Sequence, residues 1–547
     1  MTVSSHAKGH IRTLSLVAVL SLVACDGDAG KTAQDSLPTT GGTLRVAFWD
    51  DAQRCVDPNQ VYWIETRSVD RQIADSLTDQ DPATGAIVPW LATGWTVSDD
   101  ARQYTFDLRH GVTFSDGAPL DAPAVKTAFD ATFALGAKSV LGLTYLAGYA
   151  STTVVDQDTV TVRFDRPNAA FLQATSTTTL AILSPASYRE TPERRCAGRI
   201  VASGPFVLDE FTAGKKVHLT RRKDYAWPSP LVRNRGAAHL DAITFSYIKE
   251  ASVRVGSLTS AAIDVVWPRE PISEPDQNLI RRTGGRIESR PLPGVSYQLV
   301  PNVTSGRPLA DLRVRQAVQK LIDRETYAAT VYWPGYPVVA SVFDSTTPYF
   351  TAQAAALAHD PDGASRLLDE AGWLLGPDGY RYRDGRKLTL LDPVTAALPG
   401  DQLIQDQMRR AGIELRLMVV TAAKRVDLFA AGDFDLALAF LTRADPSVLG
   451  SALDQAVSKQ GTARYSQDPA TAAKVSALFA QGLQSIDPAQ RGRAYAELQR
   501  YVVETGVSFP VCERVQTVGL SPRVQGFAFT SEAFLRTNDL WLSGPDS

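Results

Sequence analysis

The amino-acid sequence predicts a mixed α/β protein built from more than one lobe. The chain has 547 residues, whereas a single hydrophobic core stops growing at roughly 250–300 residues, so two or three lobes are expected. Stretches that alternate apolar and polar residues predict β-strands, and segments with helical spacing lie between them. This mixture of βα units and hairpins is typical of an α/β architecture.

The first 25 residues have the pattern of an export signal. Basic residues precede an apolar run from Leu14 to Ala24, which is shorter than the roughly 20 apolar residues that span a bilayer. The run ends in L-V-A-C at 22–25, which resembles the lipobox of bacterial lipoproteins, so Cys25 is expected to carry a lipid and anchor the protein outside the cytoplasm. Residues 26–41 are rich in Gly, Thr, Ser and Pro and are expected to form a flexible tether.

The N-terminal half is predicted to alternate strands, turns and helices. A strand is expected over 42–49, a helix over 69–77 and a hairpin over 94–109. Asp121 or Ala122 should cap a helix that has Pro123 in its first turn. Further strands are expected at 159–164, 206–208, 216–220 and 243–247.

The C-terminal half contains more helix. Helices are expected at 309–327, 363–371, 401–410, 470–486 and 488–505, and Gly372 should end the second of them. The predicted strands lie at 388–391, 414–420, 434–441 and 509–519. In the 309–327 helix, the guanidinium groups are expected to pair with Asp311 and Asp323.

Composition excludes several classes of function. A formal net charge of −3 gives no basic surface for nucleic acid. The six histidines are scattered and no Cys/His zinc spacing occurs, so neither a protein-built metal site nor any other cofactor is expected. Three cysteines besides Cys25, namely Cys55, Cys196 and Cys512, allow one disulfide, whose pairing the sequence leaves open. No G-x-S-x-G or H-E-x-x-H motif occurs, so an enzyme is not expected.

Several sequence blocks, taken together, resemble one protein family. The first is P-W-L-A-T-G-W-T-V-S-D-D at 89–100, continued by Y-T-F-D-L-R-H-G-V-T-F-S-D-G-A-P-L at 104–120. Later blocks follow in the family's order: G-P-F-V-L at 204–208, R-K-D-Y-A-W at 222–227, L-A-D-L-R-V-R-Q-A at 309–317 and L-L-D-E-A-G-W at 367–373. The chain is identified by them as a member of family 5 of the extracytoplasmic solute-binding proteins, the oligopeptide-, dipeptide- and nickel-binding lipoproteins of ABC importers.

The resemblance implies a two-lobed fold of the type II periplasmic-binding-protein kind, a clam-shell with an extra domain near the N-terminus. Carried over, the first lobe would comprise 42–85, 200–295 and 508–547, the extra domain 86–199, and the other lobe 296–507. Such a monomer would capture an oligopeptide or other small solute by hinge closure and deliver it to a membrane permease and its ATPase. Its lipid would be its only membrane attachment.

The resemblance also implies where a ligand lies. Peptide binders of this family hold an extended ligand through main-chain hydrogen bonds. The matching segments here are Tyr62, Trp63 and Ile64, after the Asp57-Pro58 turn, and Phe440, Leu441 and Thr442, at the end of a strand. Packing of Tyr62 and Trp63 in the core is the alternative.

Relatives place an Asp after that strand to pair with the ligand's α-ammonium. The corresponding segment here, L-T-R-A-D-P at 441–446, is about two residues shorter than usual. Asp445 is therefore either the ammonium partner or only the residue of an Asp-Pro turn. Arg443 either meets a ligand carboxylate, because its planar fork suits bidentate pairing, or is solvated or locally paired.

Four further residues are candidates from their places in the family's pattern. Trp267 is expected at the cleft wall, and Tyr297 and Asn302 are expected where the chain crosses between lobes. Cys512, on the last crossover, faces the ligand or forms half of a disulfide.

Three other functions stay open on the sequence alone. The same fold could bind an oligosaccharide, an opine or a metal chelate, with nickel disfavoured because no His lies in 438–446. The protein could also be a lipoprotein that senses a peptide without importing it. A secreted hydrolase is the most distant alternative.

Overall fold

The computed structural model describes residues 37–456, 458 and 462–544. The predicted leader and the lipidated Cys25 lie outside these residues. From Thr39 onward the chain forms one compact unit, and it contains three groups of sheets and helices. Over the described ranges, no helix combines the length and the apolar character needed to cross a membrane.

The first lobe is built on a seven-stranded mixed sheet. Its central strand, Thr43–Phe48, runs parallel to both of its neighbours, and the other pairings are antiparallel. Alternate side chains such as Val46 and Phe48 enter the core, as the alternating pattern predicts. The strands in spatial order are Arg286–Pro291, Val515–Leu520, Val265–Trp267, Thr43–Phe48, Ala242–Tyr247, Lys216–Arg221 and Phe206–Thr212. The helices Ile64–Ile73, Ala251–Thr259 and Glu274–Arg282 pack with this sheet and its C-terminal extension.

The inserted domain is a four-stranded antiparallel sheet with its own aromatic core. The strands in spatial order are Ala92–Val97, Gln103–Leu108, Thr159–Phe164 and Tyr149–Val154. Asp121 caps the helix Ala122–Ala134 by accepting the Ala124 N–H at 3.0 Å. The family-like block at 89–120 thus forms the hairpin and the turns that follow it. Short helices at Val140–Tyr145, Phe171–Ala174 and Pro192–Cys196 complete the domain.

The second lobe combines an antiparallel three-stranded sheet with a parallel strand pair. The antiparallel sheet has the order Leu436–Thr442, Gly294–Pro301, Phe509–Cys512, and the parallel pair is Thr389–Val394 with Glu414–Val419. The main helices are Leu312–Leu321, Arg324–Tyr327, Pro361–Glu370, Pro399–Arg410, Ala422–Ala431, Val448–Leu453, Pro469–Leu483 and Pro488–Glu504. Short strands at Leu374–Leu375, Arg381–Arg383 and Arg386–Lys387 form a small separate sheet.

Two predicted elements are divided in the structure. The helix expected over 309–327 breaks at Ile322, because Asp323 has extended backbone and caps a new helix by accepting the Thr326 N–H at 3.0 Å. Asp311 pairs with Arg313 at 2.7 Å as predicted. Arg324, in contrast, donates to main-chain carbonyls such as that of Pro510 at 2.8 Å.

The strand expected over 509–519 is divided between the two lobes. Phe509–Cys512 pairs within the second lobe, and Val515–Leu520 pairs within the first. The chain passes from one sheet to the other at Glu513-Arg514, a few residues after the lobe boundary predicted at 508, and that boundary stays a prediction. A second crossover joins Arg286–Pro291 to Gly294–Pro301. The other lobe boundaries stay predictions.

One disulfide, between Cys55 and Cys196, joins the first lobe to the end of the inserted domain. The expectation of one bond among the three cysteines is confirmed, and this bond settles the pairing. Cys512 is a buried free thiol.

Candidate functional site

A cavity of about 120 Å³ lies between the two lobes at the crossovers, and it is called the interlobe cavity below. Four of the predicted ligand-binding residues line it: Ile64, Tyr297, Phe440 and Thr442. The remaining lining residues are Glu65, Arg269, Glu270, Pro271 and Gln516 from the first lobe, Tyr332 and Tyr336 from the second, and Leu292, Arg514 and Val515 from the crossovers.

The second lobe gives the interlobe cavity an aromatic wall. The rings of Tyr297 and Phe440 stack at 5.9 Å between centroids, and those of Tyr332 and Tyr336 stack at 4.1 Å. The Tyr336 hydroxyl donates to the Glu513 carbonyl at 2.9 Å, which ties the wall to the crossover. Such faces are electron-rich and attract cations as well as apolar groups.

The first lobe contributes a buried carboxylate, Glu65, from the first turn of the helix Ile64–Ile73. Glu65 is 3% exposed, and its Oε2 atom is buried without a hydrogen-bond partner in the described structure. Burial raises the pKa of Glu65, and the nearby Arg269 charge opposes that rise. Sequence reasoning missed Glu65, although it directly follows the predicted Ile64.

Arg514 fixes the crossover. Its Nε donates to Asp344 at 2.8 Å, its Nη1 to the Thr442 hydroxyl at 2.7 Å and its Nη2 to the Leu441 carbonyl at 3.0 Å. Burial raises the pKa of Asp344 to about 7, and the Arg514 charge opposes it. The guanidinium and the Leu441 carbonyl are therefore already paired with protein groups. Gly294 permits this close packing, since its φ is +123° and a Cβ there would collide with the Leu441 carbonyl.

A pair of tryptophan rings contacts the guanidinium of Arg269 at the edge of the interlobe cavity. Trp63 stacks on Trp49 with centroids 6.1 Å apart, and the Arg269 guanidinium lies 4.2 Å from the Trp63 centroid. Arg269 is exposed and has neither a hydrogen bond nor an ion pair within the described ranges. It is thus a cation available to a solute.

The segment containing Tyr62, Trp63 and Ile64 does not have the expected strand-like form. A helix begins at Ile64, with Trp63 at its N-cap. The N–H groups of Tyr62 and Trp63 donate to Gln53 Oε1 at 2.6 and 2.8 Å. These two donors are therefore occupied, and Tyr62, 47% exposed, is not a core residue.

Three other candidates, Trp267, Asn302 and Cys512, lie away from the lining of the interlobe cavity. Trp267 is fully buried among Phe48, Phe527 and Phe529 rather than at the cleft wall. Asn302 is buried and donates to the carbonyls of Gly432 and Phe434 at 3.0 and 2.9 Å, so it holds a loop in place.

Cys512 lies in the core of the second lobe next to the aromatic wall. Its thiol contacts the Glu513 carbonyl at 3.0 Å, and burial raises its pKa to about 12. It is therefore a protonated core thiol, neither a disulfide partner nor a residue lining the interlobe cavity.

Arg443 and Asp445 line a different cavity, of about 430 Å³, between the inserted domain and the second lobe. Asp445 Oδ2 pairs with Arg491 at 2.7 Å, and its Oδ1 accepts the Ser447 N–H at 2.9 Å. Both carboxylate oxygens of Asp445 therefore have partners in the protein. This is what we expect if Asp445 is only the residue of an Asp-Pro turn. The ligand role of Asp445 stays a prediction.

No group of three or more His, Cys, Asp or Glu side chains is placed to hold a metal ion among the residues that the structure describes. The charged and aromatic residues that line the interlobe cavity are suited to recognition by charge, stacking and hydrogen bonds.

The chain is similar to several proteins that are named for the solutes they bind. It is 25% identical over 482 residues to the probable di/tripeptide-binding protein 5 of Pseudomonas aeruginosa (strain UCBPP-PA14), covering 83% of this chain and 87% of that protein. It is 24% identical over 456 residues to the glutathione-binding protein GsiB of Salmonella paratyphi A, covering 80% and 82% of the two chains.

The fold matches that of a solved relative. The structure of NikA from Brucella suis in complex with Fe(III)-EDTA aligns with a TM-score of 0.79 at 24% identity, over 92% of this chain and all of that chain. The predicted fold, a type II periplasmic-binding-protein fold with an extra N-terminal-side domain, is confirmed. The prediction of a binding protein rather than an enzyme is confirmed as well.

A family model described as bacterial extracellular solute-binding proteins, family 5 Middle, matches residues 86–462. That match covers more than half of the chain and includes most of the blocks on which the sequence resemblance rests. The chain belongs to family 5 of the bacterial extracellular solute-binding proteins, which serve ABC importers.

Proposed function

We propose that this protein captures short peptides with a free amino terminus in the interlobe cavity and delivers them to an ABC permease. Family membership supports a solute-binding role, and one relative is named for di- and tripeptides. The sequence left the length of the ligand open. The volume of about 120 Å³, below the roughly 300–1,000 Å³ of pockets for drug-sized ligands, favours a small solute.

Glu65 is the observation that carries the proposal. An ionised carboxylate that is buried without a hydrogen-bond partner costs free energy, and for Glu65 the nearby Arg269 charge offsets this cost only in part, since the pKa stays raised. A ligand ammonium in the cavity would supply an opposite charge and donate to the free Oε2 atom. The aromatic faces of Tyr297 and Phe440 on the opposite wall would attract the same cation.

Arg269 supplies the complementary charge for the other end of the ligand. Its guanidinium stands on the Trp49–Trp63 pair without an ion-pair partner in the described structure, and its planar fork suits a carboxylate. With Glu65 deep in the cavity and Arg269 at its edge, the charges match a zwitterion such as a dipeptide.

Capture is expected to proceed by closure of the lobes. Leu292 and Val515, on the two crossovers, line the interlobe cavity together with residues of both lobes. A solute that contacts both lobes binds the closed form better than the open form, and this differential affinity shifts the population toward closure. The closed form would be the one that the permease accepts.

Anchoring by lipid is part of the proposal. Its support is the L-V-A-C segment at 22–25, whose Cys25 would carry the lipid, with residues 26–41 as the tether.

Replacement of the buried carboxylate tests the proposal directly. Glu65→Gln keeps the size of the side chain but removes its charge, so the affinity for dialanine should fall at least tenfold, or about 1.4 kcal/mol. Isothermal titration calorimetry at pH 7 measures the change.

Glu250→Gln is the matched control. Glu250 is an exposed glutamate at the start of the helix Ala251–Thr259 in the same lobe, so this variant carries the same change of charge and should bind dialanine like the wild type. Equal affinity of Glu65→Gln and the wild type would refute the role of Glu65. Tight binding of a neutral disaccharide without dialanine binding would refute the choice of ligand.

A further inference from the structure

The cavity of about 430 Å³ between the inserted domain and the second lobe, called the interdomain cavity below, contains a second buried charge. Arg443 lines it and is 6% exposed. Neighbouring Thr442 lines the interlobe cavity instead, so consecutive residues at the end of this strand reach different cavities.

The guanidinium of Arg443 has no anionic partner within the described ranges. The guanidinium carbon lies 5.1 Å from the ring centroid of Tyr145. The main chain of Arg443 is fixed by a hydrogen bond from its N–H to the Pro293 carbonyl at 3.1 Å. Burial lowers the pKa of Arg443, as expected of a cation that has lost water without gaining an opposite charge.

Two carboxylates near Arg443 already pair with other arginines: Asp445 pairs with Arg491 at 2.7 Å, and Glu532 pairs with Arg67 at 2.6 Å. Asp454 also lines the cavity, and its Oδ1 accepts the Ser476 hydroxyl at 2.5 Å and the Ala456 N–H at 3.0 Å. A second cation, Arg166, lies exposed in the lining.

The rest of the lining combines carbon surface with polar side chains, including the carboxylates of Asp445 and Asp454. Phe479, Leu483, Pro167 and Ala170 contribute carbon surface. Gln173 also lines the cavity, and its Oε1 atom is buried without a partner in the described structure. A guanidinium with free donors beside carbon surface is the arrangement that holds a carboxylate on an apolar body.

We propose that the interdomain cavity is a second binding site, specific for a small organic carboxylate whose two oxygens are held by the fork of Arg443. This site is distinct from the interlobe cavity and does not depend on the peptide proposal. A ligand in it would contact both the inserted domain and the second lobe.

Hexanoate is a suitable test ligand, with 1-hexanol and hexylamine as controls of equal chain length. Titration calorimetry should show that one hexanoate binds per chain, and that the neutral and cationic analogues bind at least tenfold more weakly. Equal affinity for hexanoate and hexanol, or no binding of hexanoate at millimolar concentration, would overturn the proposal.

Substitutions in the interdomain cavity test whether hexanoate binds at Arg443. Arg443→Gln should lower hexanoate affinity at least tenfold. Arg233→Gln, at an exposed arginine whose main-chain N–H donates to Asp539, should leave it unchanged. If Arg443→Gln fails to fold, Arg443→Lys retains a cation without the fork and should show a smaller loss, and Ser451→Leu should block the cavity while leaving Arg443 in place. Full affinity in folded Arg443→Gln, or in both substitute variants, contradicts the assignment. Complete competition by dialanine would place hexanoate in the interlobe cavity and also contradict it.

Discussion

Two buried charged residues that line cavities have no ion-pair partner in the described structure, so a ligand of opposite charge would stabilise them. Glu65 and Arg443 are 3% and 6% exposed, and each faces a cavity. Asp445, in contrast, is a buried charge that is compensated inside the protein by Arg491. The difference matters because a charge that lacks a protein partner costs stability in the empty protein, and a ligand can recover that cost.

Asp392 is a buried carboxyl whose ionisation should destabilise the fold. It is 4% exposed, its Oδ1 has no partner in the described structure, and burial, reinforced by Asp401, raises its pKa from 3.8 to about 7. The folded protein therefore holds this proton more tightly than the unfolded chain, so the contribution of Asp392 to stability falls as the pH rises from about 4 to about 7.

Asp392→Asn should remove this loss. Relative to the wild type, the variant should gain roughly 1.4 kcal/mol for each pH unit across that window and nothing more above it. Unfolding free energies from urea titrations at pH 4, 6 and 8 measure the difference, and Asp427→Asn, at an exposed aspartate, is the control. A stability difference independent of pH would contradict the assignment.

The sequence predicted some of the site residues and missed others for physical reasons. Tyr297 and Phe440 were candidates from their places in the family's pattern, and both line the interlobe cavity. Glu65 and Arg269 could not be anticipated, because nothing in a sequence shows that a charged side chain will be buried or will stand on a tryptophan. Trp267 was placed wrongly because an aromatic residue next to a cleft and one in the adjoining core have the same local pattern.

The helix Ile64–Ile73 illustrates the same difficulty for a whole element. Nine of its ten residues are buried although most are polar or charged, so its pattern indicates a helix that is partly solvated. Its burial results from ion pairs with distant segments, including Arg67 with Glu532 at 2.6 Å and Arg71 with Asp79 at 2.8 Å. Those partners are far apart in the chain, and no local rule connects them.

The pair between Arg67 and Glu532 should be essential to the docking of this helix against the C-terminal segment. Glu532→Gln leaves a buried guanidinium without its counter-charge, so it should cost about 3–5 kcal/mol of unfolding free energy. The double variant Arg67→Met, Glu532→Leu removes both charges and should recover much of that loss. Denaturant unfolding measures both, and a cost below about 1 kcal/mol for the single variant would contradict the role of the pair.

Strand and helix positions were largely predictable from periodicity. The points at which a predicted helix or strand divides into two elements were not. Asp323 ends one helix and starts another because it caps with its own carboxylate. The division at Glu513-Arg514 depends on Asp344, which accepts the Arg514 N–H at 2.9 Å from another part of the second lobe. Both features are decided by tertiary contacts.

At the scale of the whole molecule, the two crossovers connect lobes that enclose the interlobe cavity. Arg514 holds one crossover to the second lobe through Asp344 and Thr442, and the cavity is lined from both sides. The family resemblance predicted this arrangement, because the blocks at 89–120 and 309–317 specify the fold. It did not predict the ligand, because those blocks form hairpins and helices away from the cavity lining.

Small-angle X-ray scattering of the protein with dialanine and with N-acetyldialanine tests the central claim most directly. If a free amine bound at Glu65 closes the lobes, saturating dialanine should lower the radius of gyration relative to the ligand-free protein, and the acetylated peptide at the same concentration should leave it unchanged. Unchanged dimensions with bound dialanine, or equal compaction by both peptides, would contradict the account.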